Sequence, residues 1–252
     1  MLTLAGLDHI VLAAFLAFCR IGGCFMLMPG FGTMRVPMNI RLFVSIAVSF
    51  ALLAHLWGQI APHVDSRPVV LAPMIVSELL IGALIGLVAR FYVLALQFIA
   101  SAISMLGGFG GMPGIAIEEP DAQGPVGALV SLAALLMLFI LGFHHQMIEA
   151  LVNSYRVAPV NVFFSPQSAL TDLADTISDS FLIVLRLGSP FVAYAILVNL
   201  ATGFINKLSP QIPVYFISLP FVLAGALVLM YLAFPTMLSL FADGFAAATV
   251  DR

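Results

Sequence analysis

The sequence predicts an all-α protein of the integral-membrane class, about six long hydrophobic helices, some of them kinked or broken. Three observations carry this. The chain is 62% hydrophobic and 8% charged, against roughly 45–50% and about 25% in soluble domains. Its apolar residues run in segments of helix length, at 9–28, 40–61, 69–106, 126–152, 180–205 and 212–242. The connectors between them hold Pro and Gly, with no room for a soluble domain and no fixed-period repeat.

Taken in order, the first segment follows Asp8 rather than a basic n-region, so it reads as a retained helix and not as a cleaved signal. Its two cysteines, Cys19 and Cys24, stand roughly 140° apart around a helix and match no zinc or redox spacing. Pro29, Gly30, Gly32 and Pro37 close it, and Pro62 and Pro68 close the second segment. The third segment has 38 residues, about 57 Å of helix where a bilayer core of about 30 Å needs about 20 residues. Gly82 and Gly86 form a G-x-x-x-G pair within it, suited to close helix approach.

A stretch reading GGFGGMPGIAIEEPDAQG, 107–124, follows the third segment. With five glycines up to 114 it can adopt several conformations, and Phe109, Met112, Ile115 and Ile117 give it apolar side chains to pack. It matches neither the Walker pattern nor G-x-G-x-x-G, and its three acids would repel phosphate. In the fourth segment His145 and Glu149 share a helix face beside His144, but no third ligand and no H-E-x-x-H accompany them, so no metal is expected. Ser165 and Pro166 read as an N-cap followed by proline at the first helical position. Leu170, Leu173, Ile177, Phe181 and Val184 then recur at helical spacing, predicting an amphipathic start to the fifth helix. Lys207 to Gln211 connect it to the last segment, where Pro213, Pro220 and Pro235 predict a kinked or divided helix.

Charge complicates a simple six-span layout. Arg20, Glu78, Arg90, Glu149 and Arg186 lie inside apolar segments, where each would cost about 2.5–3.5 kcal/mol at a bilayer centre. Glu78 and Arg90 are twelve residues apart, about 18 Å along one helix, so each must look to another helix or another subunit. With six spans the connector bases fall three to each side, Arg35, Arg41 and Lys207 against Arg67, Arg156 and Arg252, and give no orientation. All this is relaxed if much of the chain packs against protein. The nine bases are scattered, which excludes a nucleic-acid footprint. No G-x-S-x-G elbow is present, and neither an enzyme nor a cofactor is expected.

The chain resembles the FliR/SctT family of type III secretion export-gate subunits. The likeness rests on RIGGCFMLMPGFGTMRVPMNIRL (20–42), SELLIGALIGLVARF (77–91), the GGFGGMPG stretch, HHQMIEALVNSY (144–155) and the long block at 185–230, in which Pro190, Asn199, Gly203, Pro210 and Gln211 stand where the family pattern wants them. The resemblance implies a subunit of the flagellar export gate in the bacterial inner membrane, at the flagellar basal body. It further implies a FliP-like part over 1–164, a FliQ-like hairpin over 165–252, and packing as a single cooperative unit into a helical hetero-oligomer. FliP-like and FliQ-like chains would be its neighbours, with FlhB-like and FlhA-like proteins beyond them and unfolded export substrates as cargo. Gly107, Gly108, Phe109, Gly110, Gly111, Met112, Pro113 and Gly114 would be the plug of the channel, followed by Glu119-Pro120, with the extra acids Glu118 and Asp121 beyond the family's usual single acid. On this reading the buried charges serve subunit packing. An alternative of another class is a secondary transporter of ions or small molecules using Glu78, Arg90 and Arg186 as its site.

Overall fold

The computed structural model describes residues 4–32, 36–109, 125–211 and 213–250. Seven α-helices make up almost all of them: α1 Leu4–Leu27, α2 Met38–Ile60, α3 Pro68–Leu106, α4 Pro125–Ile140, α5 Phe143–Val157, α6 Pro166–Leu208 and α7 Val214–Val250, with a 3-10 turn at Ala61–His63. Among the described residues there is no strand. Five helices are long and apolar enough to cross a membrane, or six spans if α4 and α5 count as one bent pair.

The helices start and stop where local chemistry directs. Gly30, at φ 85°, turns the chain after α1 in a conformation that costs glycine little. Proline opens α3, α4 and α6, where its missing N–H would have had no partner. Ser165 precedes α6 as expected, and its carbonyl accepts from the Ala169 amide at 3.2 Å.

The fourth segment is not one helix. It breaks at Gly142 into α4 and α5. Gly142 sits in the left-handed region at φ 72°, ψ 29°, and its carbonyl then accepts from the His145 amide at 2.8 Å to start α5. The last segment, expected to be kinked or divided, is assigned as one helix that carries Pro220 and Pro235 in its interior. Likewise α3 continues through Pro73 and α6 through Pro190.

The chain packs as two compact units, Met1–Phe91 with Gly142–Ile177 and Phe245–Arg252, and Tyr92–Leu141 with Ser178–Gly244. Helices α3, α6 and α7 supply residues to both. The sequence-order division at residue 164 concerns likeness to two kinds of subunit and is taken up below.

In the first unit Ala13, Leu16 and Ala17 of α1 pack with Leu56 and Ile60 of α2, Met74 of α3, Tyr155 of α5 and Val160. Against α3, α1 approaches to backbone distance. A Cβ on Gly23 would stand 2.6 Å from the Leu79 carbonyl oxygen and one on Gly86 2.5 Å from that of Cys24, while one on Gly82 would overlap the carbonyl of Arg20. The G-x-x-x-G pair is therefore a close helix crossing.

In the second unit the Tyr194 hydroxyl donates to the Val222 carbonyl at 2.8 Å, tying α6 to α7. On α6 the buried row is Ala169 and Thr176 within the first unit, then Ser180, Val184, Leu187, Phe191 and Ala195 within the second. This corrects the stripe read from sequence, since Leu170, Ile177 and Phe181 are each about half exposed or more. The spacing is helical, but up to Ser180 small and hydroxyl side chains take the inner face while Leu170 and Ile177 face outward; from Val184 on, the large apolar Leu187 and Phe191 are buried.

Candidate functional site: a buried charge cluster and the family residues

Arg20 lies in the middle of α1 and is wholly buried, as is Glu78 on α3 to within 1%. The two form a fork-to-fork pair, with Nε donating to Oε2 at 2.7 Å and Nη2 to Oε1 at 2.6 Å. Nη1 also donates to Ser154 Oγ at 3.0 Å, and Nη2 to the Ala158 carbonyl at 2.8 Å. Four of the five guanidinium N–H groups are thus engaged. The plane of charge lies 3.8 Å above the Tyr155 ring centroid, a cation–π contact.

Local structure explains how these groups meet. The glycine crossing brings the α1 and α3 backbones close enough for an arginine to span the interface without bending away. Amphipathic α5 buries Phe143, Met147, Leu151 and Tyr155 at four-residue steps, which sets Tyr155 under Arg20. Ala158 caps the C-terminus of α5, its amide donating to the Ser154 carbonyl at 2.8 Å. A helix C-terminus favours positive charge, and here the cation arrives from a different helix.

The expectation that Glu78 looks outside its own helix holds, and its partner lies within the chain. Arg20 and Glu78 satisfy one another, so neither is left for a second subunit to neutralise. Arg90 is half-buried and, among the described residues, has no ion-pair partner. Glu149 and Arg186 are exposed in the chain by itself, against the expectation of buried charge. The reason is helical phase: Glu149 lies two residues from buried Met147, and Arg186 two from buried Val184, so each points away from the inner row.

Arg186 and Asp243 line a cleft of about 230 Å³ with Ile183, Leu187 and Leu240, all in the second unit. His144 and His145 lie side by side with ring centroids 4.2 Å apart and planes tilted by 50°. Among the described residues no group of three or more His, Cys, Asp or Glu could hold a metal. The transporter alternative needs Glu78 available to a substrate or proton, and Arg20 occupies both of its oxygens.

Ser77, Ser154, Tyr155 and Ala158 were not singled out from sequence. Tyr155 could have been, since it continues the row of Phe143, Met147 and Leu151. Nothing in the sequence marks the Ala158 carbonyl or the Ser77 hydroxyl.

Of the glycine-rich stretch, Gly107, Gly108 and Phe109 are described, and Gly110, Gly111, Met112, Pro113 and Gly114 lie outside the described residues. The Gly107 amide donates to the Ile103 carbonyl at 2.8 Å, and Gly108 has φ 79°. That left-handed glycine ends α3 and turns the chain off the helix axis. Among the residues of the 185–230 block, Pro190 is half-buried inside α6, while Asn199, Gly203, Pro210 and Gln211 are all exposed. A side chain built on Gly203 would meet nothing within 4 Å.

Five or six apolar spans, a wholly buried ion pair between two of them and an outward-facing set of small and polar residues define a helical membrane protein. Its family follows from comparison. The chain belongs to the bacterial export proteins, family 1, whose pattern matches residues 11–248. It is 26% identical over 242 residues to the flagellar biosynthetic protein FliR of Caulobacter vibrioides, covering 96% of this chain and 93% of that one. It is 25% identical over 222 residues to FliR of Bacillus subtilis, covering 86% and 84%. The Yop proteins translocation protein T of Yersinia pestis is 24% identical over 223 residues, covering 87% and 85%. The chain is thus a membrane-embedded component of the flagellar type III export class.

Proposed function

We propose that the chain is a noncatalytic structural and gating subunit of the flagellar type III protein export apparatus. In this reading it forms the export channel with FliP-like and FliQ-like chains in the bacterial inner membrane, at the flagellar basal body, and is required for flagellum assembly. Residues 1–164 act as the FliP-like part and 165–252 as the FliQ-like hairpin, with FlhB-like and FlhA-like proteins as further neighbours. The observation that carries the reading is the match to the export family across nearly the whole chain, shared with relatives named for flagellar biosynthesis and for protein translocation.

Burial supports a subunit whose surroundings are supplied by others. Only 28% of the apolar window in α6 and 11% of that in α7 are buried within the chain, so lipid or neighbouring protein must cover the rest. Asn199, Gly203, Pro210 and Gln211 lie on that outward surface, where a small or polar residue suits close protein contact better than lipid. Glu149 and Arg186, exposed in the chain alone, are charges for such packing. The loop from Gly107 to Gly114 acts as the plug, launched from α3 by the left-handed Gly108.

The test is the mass and composition of the particle formed when the full chain is co-expressed with FliP-like and FliQ-like chains and extracted in mild detergent. A large hetero-oligomer holding one copy of this chain is expected. A stable monomer or homodimer free of such partners would overturn the reading.

A further inference from the structure

The connector between α5 and α6, residues 158–165, is tied at both ends to one place on α1 and α3. At its start the Ala158 carbonyl accepts from Arg20 Nη2 at 2.8 Å. Near its end the Phe164 amide donates to Ser77 Oγ at 2.7 Å. Ser77 is the residue before Glu78, and it is 4% exposed. Between the two ties Val160 is buried with Ala13, Leu16 and Tyr155, while Asn161, Val162 and Phe163 are exposed.

We propose that Arg20, Glu78 and Ser77 form a connector clamp, a set of positioning residues that fixes where α6 departs from the α1–α3 pair. Glu78 orients the guanidinium by its two-point grip, leaving one edge of Arg20 aimed at the end of α5. Ser77, one residue away on α3, holds the other end of the connector. The clamp therefore sets the starting point of the helix that carries Asn199 and Gly203, without touching either. It operates whether or not the chain serves export, so its failure and that of the export reading are separable.

Cysteine accessibility tests it on the full-length chain in detergent, with Cys19 and Cys24 replaced by Ala. One reporter, Val160→Cys, senses lifting of the connector. The other, Ala89→Cys, on α3 of the same unit, at a position with 0% exposure and outside the cluster that holds Val160, senses loosening of the unit as a whole. Ser77→Ala, which removes one hydroxyl and keeps the helix, should raise maleimide labelling of the Val160→Cys reporter about tenfold, equivalent to about 1.4 kcal/mol. Labelling of the Ala89→Cys reporter should not change, and Ser77→Thr should restore slow labelling at the connector. Arg20→Gln should act in the same direction and more strongly. If the connector reporter stays slow in Ser77→Ala, or if both reporters rise together, the clamp is refuted. Should Arg20→Gln fail to fold, Ser77→Ala and Ser77→Thr decide alone.

Discussion

Replacing Glu78 by Leu leaves Arg20 charged, wholly buried and without its counter-ion. Arginine cannot shed its proton to escape, because the delocalised guanidinium stays charged in proteins. Removing one partner of a buried pair costs about 3–5 kcal/mol. Unfolding entropy near 2.1 cal/mol/K per residue gives about 0.5 kcal/mol/K for a chain of 252 residues. The melting temperature should therefore fall by roughly 6–9 °C. The contacts Arg20 keeps with Ser154, Ala158 and Tyr155 cannot offset this, because none of them carries negative charge. The double variant Arg20→Met, Glu78→Leu removes both charges and restores apolar volume, so it should lose less than the sum of the two single variants. Thermal melts of detergent-purified protein, followed by size-exclusion chromatography or intrinsic fluorescence, complete the double-mutant cycle. Strictly additive single effects, or a Glu78→Leu protein that melts with the parent, would refute the coupling.

At the glycine crossing, Gly82→Val places side-chain carbons where the Arg20 carbonyl stands. It should separate α1 from α3 and lower detergent-stable yield severalfold, while the same change at Gly58, which has nothing within 4 Å, should alter yield little. Deleting residues 107–114 should make membranes holding the assembled complex leaky to small ions in a conductance or dye-flux assay, and unchanged permeability would count against a plug. On the connector before α3, Asp65 accepts two-point hydrogen bonds from Arg67, which hold its carboxyl below the usual value of 3.8. A depressed carboxylate stabilises the fold above its unfolded pKa and loses that effect as pH falls through the folded one. Asp65→Asn should therefore be slightly less stable than the parent at neutral pH, and the difference should shrink in acid melts as the pH falls below the usual carboxylate range.

Most helices were legible because apolar runs of this length have few other solutions. The break at Gly142 was not, because Leu141 and Phe143 continue the hydrophobic run on either side and only a left-handed backbone angle separates them. Proline did not divide the last segment, since α7 passes both Pro220 and Pro235 as one helix. On α6 the helical period was readable but its inner face was not. Hydropathy favours Leu170 and Phe181, whereas close packing selected Ala169, Thr176 and Ser180. The charges divided the same way. That Arg20 and Glu78 needed partners followed from their setting, but a separation of 58 residues hides the pairing from any local pattern.

That separation has a meaning in time as well as in space. Chains leave the ribosome at about 5–20 residues per second, so Arg20 precedes Glu78 by roughly 3–12 s and Ser154, 134 residues on, by about 7–27 s. For those seconds the arginine of α1 has no carboxylate to meet it, and at a bilayer centre that one residue would cost about 2.5–3.5 kcal/mol. The cluster cannot close until the third helix, and then the fifth, has emerged. The cluster that locks the finished protein thus also dictates the order in which its helices can settle.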